Sequence, residues 1–184
     1  MDSIITAAAR RIGLLRHFRK RLPSLSIRHI YCISVRPALE YASAAWSGLS
    51  AADAARLELL QRHTAQLISN IPARSDTPHA IILPRAGLQS LDARRDVELA
   101  VLAYKFIHRQ LPNHLLANFS HWLDKPARSR SLRSSNSIRL PRPRRALLKS
   151  SPLYLSLFSL WNSLPASAKD CASSRGLRSS LLSA

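Results

Sequence analysis

Acid is what this sequence most lacks. Its 184 residues carry 10 Asp and Glu against 28 Lys and Arg, a formal net charge of +18, and no acid lies between Asp2 and Glu40. Such an imbalance argues against cationic partners and for a polyanion. Cysteine is almost absent too. Cys32 and Cys171 stand far apart and form no paired framework, which excludes a disulfide scaffold and a zinc finger. A reduced intracellular setting, nuclear or cytoplasmic, is the expectation. Only 4 glycines are present, and none forms a phosphate-cradling loop. No apolar run approaches the roughly 18–20 residues of a membrane span, and the mean hydropathy is −0.08, so no membrane partner is expected.

What is present favours helices. Hydrophobic residues reach 46%, enough for a buried core, and the abundance of Leu, Ala and Arg suits helix over sheet. The charge is unevenly placed. Residues 1–28 hold seven basic groups and one acid, and residues 29–124 nine and eight. Residues 125–150 hold nine basic groups and no acid. A near-neutral middle between two basic blocks reads as a folded body carrying a polyanion-binding surface. Residues 1–28 are also Arg-rich and amphipathic enough to resemble a mitochondrial transit peptide, a minority reading that Asp2 weakens.

Periodicity predicts a helix over 3–21, with Ile5, Ala8, Ile12, Leu15 and Phe18 on one face. The segment 27–46 begins as helix and should kink or break at Pro37. The clearest helix is 51–70. Ser50 and Asp53 approximate a capping box, and Leu57, Leu60, Thr64, Leu67 and Ile71 follow at alternating steps of three and four. Thr77-Pro78 opens a short helix through Leu83, and Gly87 breaks the chain. Ser90 or Asp92 then starts a long helix to about Gln110, with Leu91, Arg95, Leu99, Leu102 and Phe106 on one face. A short helix is expected around 114–123. Lys125 to Ser150 is an Arg/Ser/Pro-rich irregular arm. Residues 152–164 are apolar without a decisive period.

No catalytic constellation is visible. Asp92, Asp96 and Glu98 are interleaved with Arg94 and Arg95, which suits helix-surface ion pairs better than a two-metal site. The seven histidines are scattered, so no metal site is expected, and neither a cofactor nor a small-molecule substrate is implied. Binding chemistry remains. Arg16, Arg19, Lys20 and Arg21 would crowd the polar side and end of the first helix. Arg128, Arg130, Arg133, Arg139, Arg142, Arg144 and Arg145 would line the arm. Arginine matches phosphate oxygens with a planar fork, and the arm has no interleaved aromatics, so the expected partners are RNA and DNA bound with little sequence preference. The alternation of Arg and Ser there also suits loose RNA binding tunable by phosphorylation. Trp46, Trp122 and Trp161 sit in apolar surroundings and read as core anchors rather than stacking platforms.

Several segments, in order, resemble the C-terminal region of LINE-type (non-LTR) retrotransposon reverse transcriptases. Residues 11–16 (RIGLLR) look like the segment leading out of the palm. Residues 36–46 are similar to the family's Pro-x-Leu-x-Tyr…Trp stretch through Pro37, Leu39, Tyr41 and Trp46. Residues 56–72 resemble its Leu-Glu-x-x-Gln helix through Leu57, Glu58 and Gln61. Residues 87–112 resemble its next helix through Gly87, Leu88, Leu91, Arg94, Arg95, Tyr104, Lys105 and Pro112. RLPRPRR (139–145) and LWNSLP (160–165) are similar to its closing tail, although the neutral run Tyr154 to Leu160 replaces a basic residue usual there.

The resemblance implies an all-α, thumb-like helical bundle over 1–124, the basic arm over 125–150 and a short apolar tail segment over 151–184. It implies a fragment that grips template and primer. The family's Tyr-x-Asp-Asp palm motif and endonuclease would lie upstream of residue 1, so the chain as given is expected to be non-catalytic, a truncated or decayed copy. Two rival readings stand beside it. One is the same segment within an intact RNA-directed DNA polymerase; the other is an unrelated ribosomal or mitochondrial RNA-binding protein.

Overall fold

Ser50 shows how locally this chain specifies its helices. Its hydroxyl accepts the Asp53 amide at 3.1 Å, and its carbonyl accepts the Ala54 amide at 3.0 Å. The first bond satisfies a donor that the helix start would leave orphaned, and the second is the first i→i−4 bond of the helix. The computed structural model containing this cap describes residues 2–44, 49–72, 74–75, 77–116 and 157–183. Trp46, Trp122, all of the arm 125–150 and the expected boundary at 124 lie outside the described residues.

Among the described residues every regular element is helical, so the chain is all-α as its composition predicts. The helices are α1 (Asp2–Phe18), α2 (Ser24–Ile30), α3 (Arg36–Glu40), α4 (Ala51–Ile68) and α5 (His79–Arg85). After them come α6 (Leu91–Ile107), α7 (Leu157–Ser163), α8 (Ala166–Lys169) and α9 (Ser174–Ser183). Residues 113–116 are also helical, and the rest of the short helix expected there lies outside the described residues. No described helix is long and apolar enough to cross a membrane.

The chain forms two compact units. One comprises Met1–Ser43 and Leu49–Arg94, the other Ala44–Gly48 and Arg95–Ala184, and α6 carries the chain from the first into the second. In the first unit α1 packs on α4, α2 and α5 also pack on α4, and α3 packs on α1. Its core takes Ala8, Ile12 and Leu15 from α1, with Ile27, Tyr31, Leu39, Leu57, Thr64 and Ile82 from its other elements.

Pro37 does not break the second segment. The chain passes from α2 through a π-helical turn, Tyr31–Val35, directly into α3, with Pro37 in the first turn of that helix. A proline cannot return the i→i−4 bond and its ring crowds the preceding turn. Widening that turn by one residue absorbs both effects. Ser34 Oγ adds a bond to the Ile30 carbonyl at 2.6 Å.

Three helices end on a left-handed residue. Asn70 (φ 58°), Gly87 (φ 64°) and Arg109 (φ 52°) follow α4, α5 and α6. The next amides, of Ile71, Leu88 and Gln110, reach back to the carbonyls of Gln66, Leu83 and Lys105 at 2.9, 2.9 and 2.7 Å. That six-to-one bond is the Schellman closure. At the start of α5 the frame shifts by one: Pro78 is the cap rather than the first helical residue, and the helix runs to Arg85.

The second unit closes on Leu99, Ala103, Tyr104 and Phe106 of α6 with Leu157, Trp161, Ala168 and Leu177. Trp161 is 3% exposed and is core, as its apolar setting predicts. The Tyr104 hydroxyl donates to the Cys171 carbonyl at 3.0 Å, which ties the C-terminal segment to α6.

Candidate nucleic-acid interface

The stripe Ala8, Ile12, Leu15 on α1 is buried. At 3.6 residues per turn its next member is residue 19, not 18. Arg19 therefore lies half-buried at the end of the packed stripe, and its guanidinium donates to Asn70 Oδ1 just past the end of α4. Asn70 suits that place because its short amide tolerates the left-handed conformation while still accepting a bond. Phe18, expected on the buried face, is instead 41% exposed.

Around Arg19 the other basic groups gather. Arg16 is exposed on the last turn of α1, and Lys20 and Arg21 are exposed in the turn beyond it. The amides of Arg21 and Leu22 both bond the Phe18 carbonyl, at 2.9 and 3.0 Å, so this turn is closed rather than frayed. Arg16 also stands near α4. His63 there is held below the usual imidazole value by burial, with the positive fields of Arg16 and Arg62 adding to the depression. Arg62 reaches the carbonyls of Ser75 and Thr77, both at 3.3 Å. Those partners are neutral, so its charge remains uncompensated by them.

Of the other cations of the first unit, Arg10, Arg74 and Arg85 are exposed, and several more are held by partners. Arg56 is held by Asp2 at 2.7 Å and Asp53 at 3.2 Å, and Glu40 takes both Arg36 and Arg94. Arg28 and Arg11 bond backbone carbonyls, those of Gly87 and Ser34. Among the described residues no carboxylate pairs with Arg16, Arg19, Lys20 or Arg21. Four cations thus share one end of α1 with no local counter-charge, and their field adds.

The four α1 candidates are brought together. The seven arm candidates, Arg128, Arg130, Arg133, Arg139, Arg142, Arg144 and Arg145, lie outside the described residues. Among the described residues no group of three or more His, Cys, Asp or Glu is placed to hold a metal ion. Arg94 and Glu98, expected to pair along their own helix, also reach further: Arg94 grips Glu40 of α3, and Glu98 pairs with Arg178 of α9. Arg95 is buried at 7% exposure rather than displayed.

Three of the residues that carry the family resemblance help hold the first unit together. Leu57 is fully buried. Glu58 accepts the Asp92 amide at 2.9 Å at the start of α6, a charge-assisted cap. Gln61 joins the Tyr31 hydroxyl to the Gln89 carbonyl. Sequence reasoning missed Phe18 and Arg62 as members of the basic end. Counting the stripe forward to residue 19 would have revealed the first; the second depends on where the loop after α4 folds. No family model, curated protein or solved structure matches the chain.

Proposed function

We propose that this chain is a non-catalytic nucleic-acid-binding segment of the kind found at the C-terminus of LINE-type reverse transcriptases. It grips RNA or DNA through phosphate contacts from Arg16, Arg19, Lys20 and Arg21, with the arm arginines as a second, sequence-tolerant contact line. One observation supports this reading above the rest: four cations at the end of α1 with no carboxylate partner among the described residues. What sets the four apart is that they are crowded within six residues, and phosphate oxygens are the counter-charge such a cluster lacks.

The test is the salt dependence of binding to a mixed-sequence single strand. About six simultaneous phosphate contacts give a log–log slope of roughly −4, at about −0.7 per contact. Replacing Arg16, Lys20 and Arg21 together by Ala flattens it by about 2 units and weakens all sequences alike. A slope near zero, or strong preference for one sequence, overturns the reading. Primer extension on an RNA template with magnesium, by the pure chain, would overturn its non-catalytic part.

A further inference from the structure

We propose that Phe18 is a base-stacking platform, which makes unpaired bases, rather than duplex, the preferred ligand of the basic end of α1. This rests on the phosphate-binding reading above and adds to it a site for the base itself.

Phe18 is 41% exposed although it occupies the last position of a well-packed helix. The cause is register: Arg19 takes the buried position, so the Phe18 ring is turned outward. His17 meets it edge-on, centroids 5.3 Å apart and planes at 84°. Its carbonyl receives two amides of the following turn, and the neighbouring Arg19 is tethered to Asn70. The ring therefore stands on a braced turn. Arg16, Lys20 and Arg21 lie within three residues of it on both sides, all exposed.

An aromatic face set among unpaired cations is the arrangement that single strands use. Phosphates meet the cations while a base covers the ring, and any base serves because each has a π-face. In a duplex the faces of a base are covered by its stacked neighbours, and only its edge meets a protein surface. The same exposed stretch also carries Leu14 at 63%, which raises an anionic lipid surface as another occupant. Leu14 and Phe18, the two large apolar side chains exposed on α1, are a small area for interfacial insertion, whose strength scales with buried apolar area. The apolar stripe that could insert, Ala8, Ile12 and Leu15, is already buried against the fold.

The experiment compares the full chain with Phe18→Ala and Phe18→Trp. The probes are a 12-nucleotide single strand, an abasic strand of equal length, a blunt duplex, and phosphatidylcholine vesicles containing phosphatidylserine. Phe18→Ala should weaken single-strand binding roughly 5- to 150-fold, the equivalent of about 1–3 kcal/mol for one stacked base. Phe18→Trp should retain it, and the loss should be confined to strands that carry bases. The wild type should bind the single strand more tightly than the abasic strand or the duplex.

Equal affinity of Phe18→Ala and wild type for the single strand overturns the proposal. So does an equal loss on the abasic strand. Vesicle binding lost in Phe18→Ala and Leu14→Ala, with single-strand binding intact, overturns it in favour of a lipid surface. A steep salt slope in the wild type with no effect of Phe18 sinks the platform alone; a flat slope sinks the phosphate reading beneath it.

Discussion

The Tyr31 hydroxyl donates to Gln61 Oε1 at 2.6 Å, and both residues are fully buried. Gln61 in turn donates through Nε2 to the Gln89 carbonyl, just before α6. One side chain on α4 thus satisfies a phenol from the π-helical turn and a loop carbonyl, which ties three parts of the first unit together. Burial also pushes the Tyr31 phenol well above its ordinary value of 10.

Tyr31→Phe removes the donor and leaves Gln61 Oε1 buried without it. A loss of about 1–3 kcal/mol is expected, measured as a lower urea midpoint at unchanged m-value. Gln61→Leu strands two groups and should cost at least as much. A Tyr31→Phe protein as stable as wild type would show that the bond contributes nothing net.

Gly87→Ala should destabilise by about 1–3 kcal/mol, the usual cost of a left-handed conformation in a non-glycine residue. Gly87 sits at φ 64°, and an added Cβ would lie 3.0 Å from Arg28 Nε. The Arg28 guanidinium bonds the Gly87 carbonyl at 3.0 Å, so it cannot withdraw without losing that bond. Coupling between Gly87→Ala and Arg28→Ala in a double-mutant cycle separates the steric part from the backbone part. Additive effects would mean that Arg28 yields freely.

His63 links stability to pH. Burial first, and Arg16 and Arg62 second, hold its folded-state value below the ordinary 6.5. Below about pH 6.5 the unfolded chain therefore binds a proton that the folded chain resists. Stability falls as pH drops through that window and levels off below the folded value. His63→Gln should flatten this part of the profile. An unchanged slope would place the depression elsewhere.

Trp161→Ala should cost about 3–5 kcal/mol, because the ring is 3% exposed between Tyr104 and the C-terminal helices. Thermal unfolding checks this, and nucleic-acid affinity at a temperature where the variant stays folded should not change. Loss of affinity at constant fold would make Trp161 a contact residue.

Arg94→Ala should lower stability by removing the closer of the two partners of Glu40, a half-buried pair, while Arg36 remains, with little change in the salt slope of binding. Replacing Arg142, Arg144 and Arg145 by Ala should flatten that slope by about 2 units. Equal flattening by both variants would place the folded body, as well as the arm, in the binding groove.

Much of this protein is decided by its sequence alone. Capping by Ser50 and the two periodic helix faces are local signals: Leu57, Thr64, Leu67, Leu91, Arg95, Leu99 and Phe106 are buried, while Leu60, Ile71 and Leu102 are half-buried. Charge segregation is equally legible, because it needs no geometry. Tertiary structure decided the rest. Whether Pro37 would break or only widen its turn depended on what surrounds that turn. Phe18 and Arg19 compete for one packed position, and residue type alone favours Phe18. Helical phase gave the position to Arg19, with Asn70 from the far end of α4 satisfying its charge-bearing group. Pairings such as Arg94 with Glu40 and Glu58 with the start of α6 join residues 54 and 34 positions apart. Nothing local encodes them, since the energy of such contacts exists only after the intervening chain has folded.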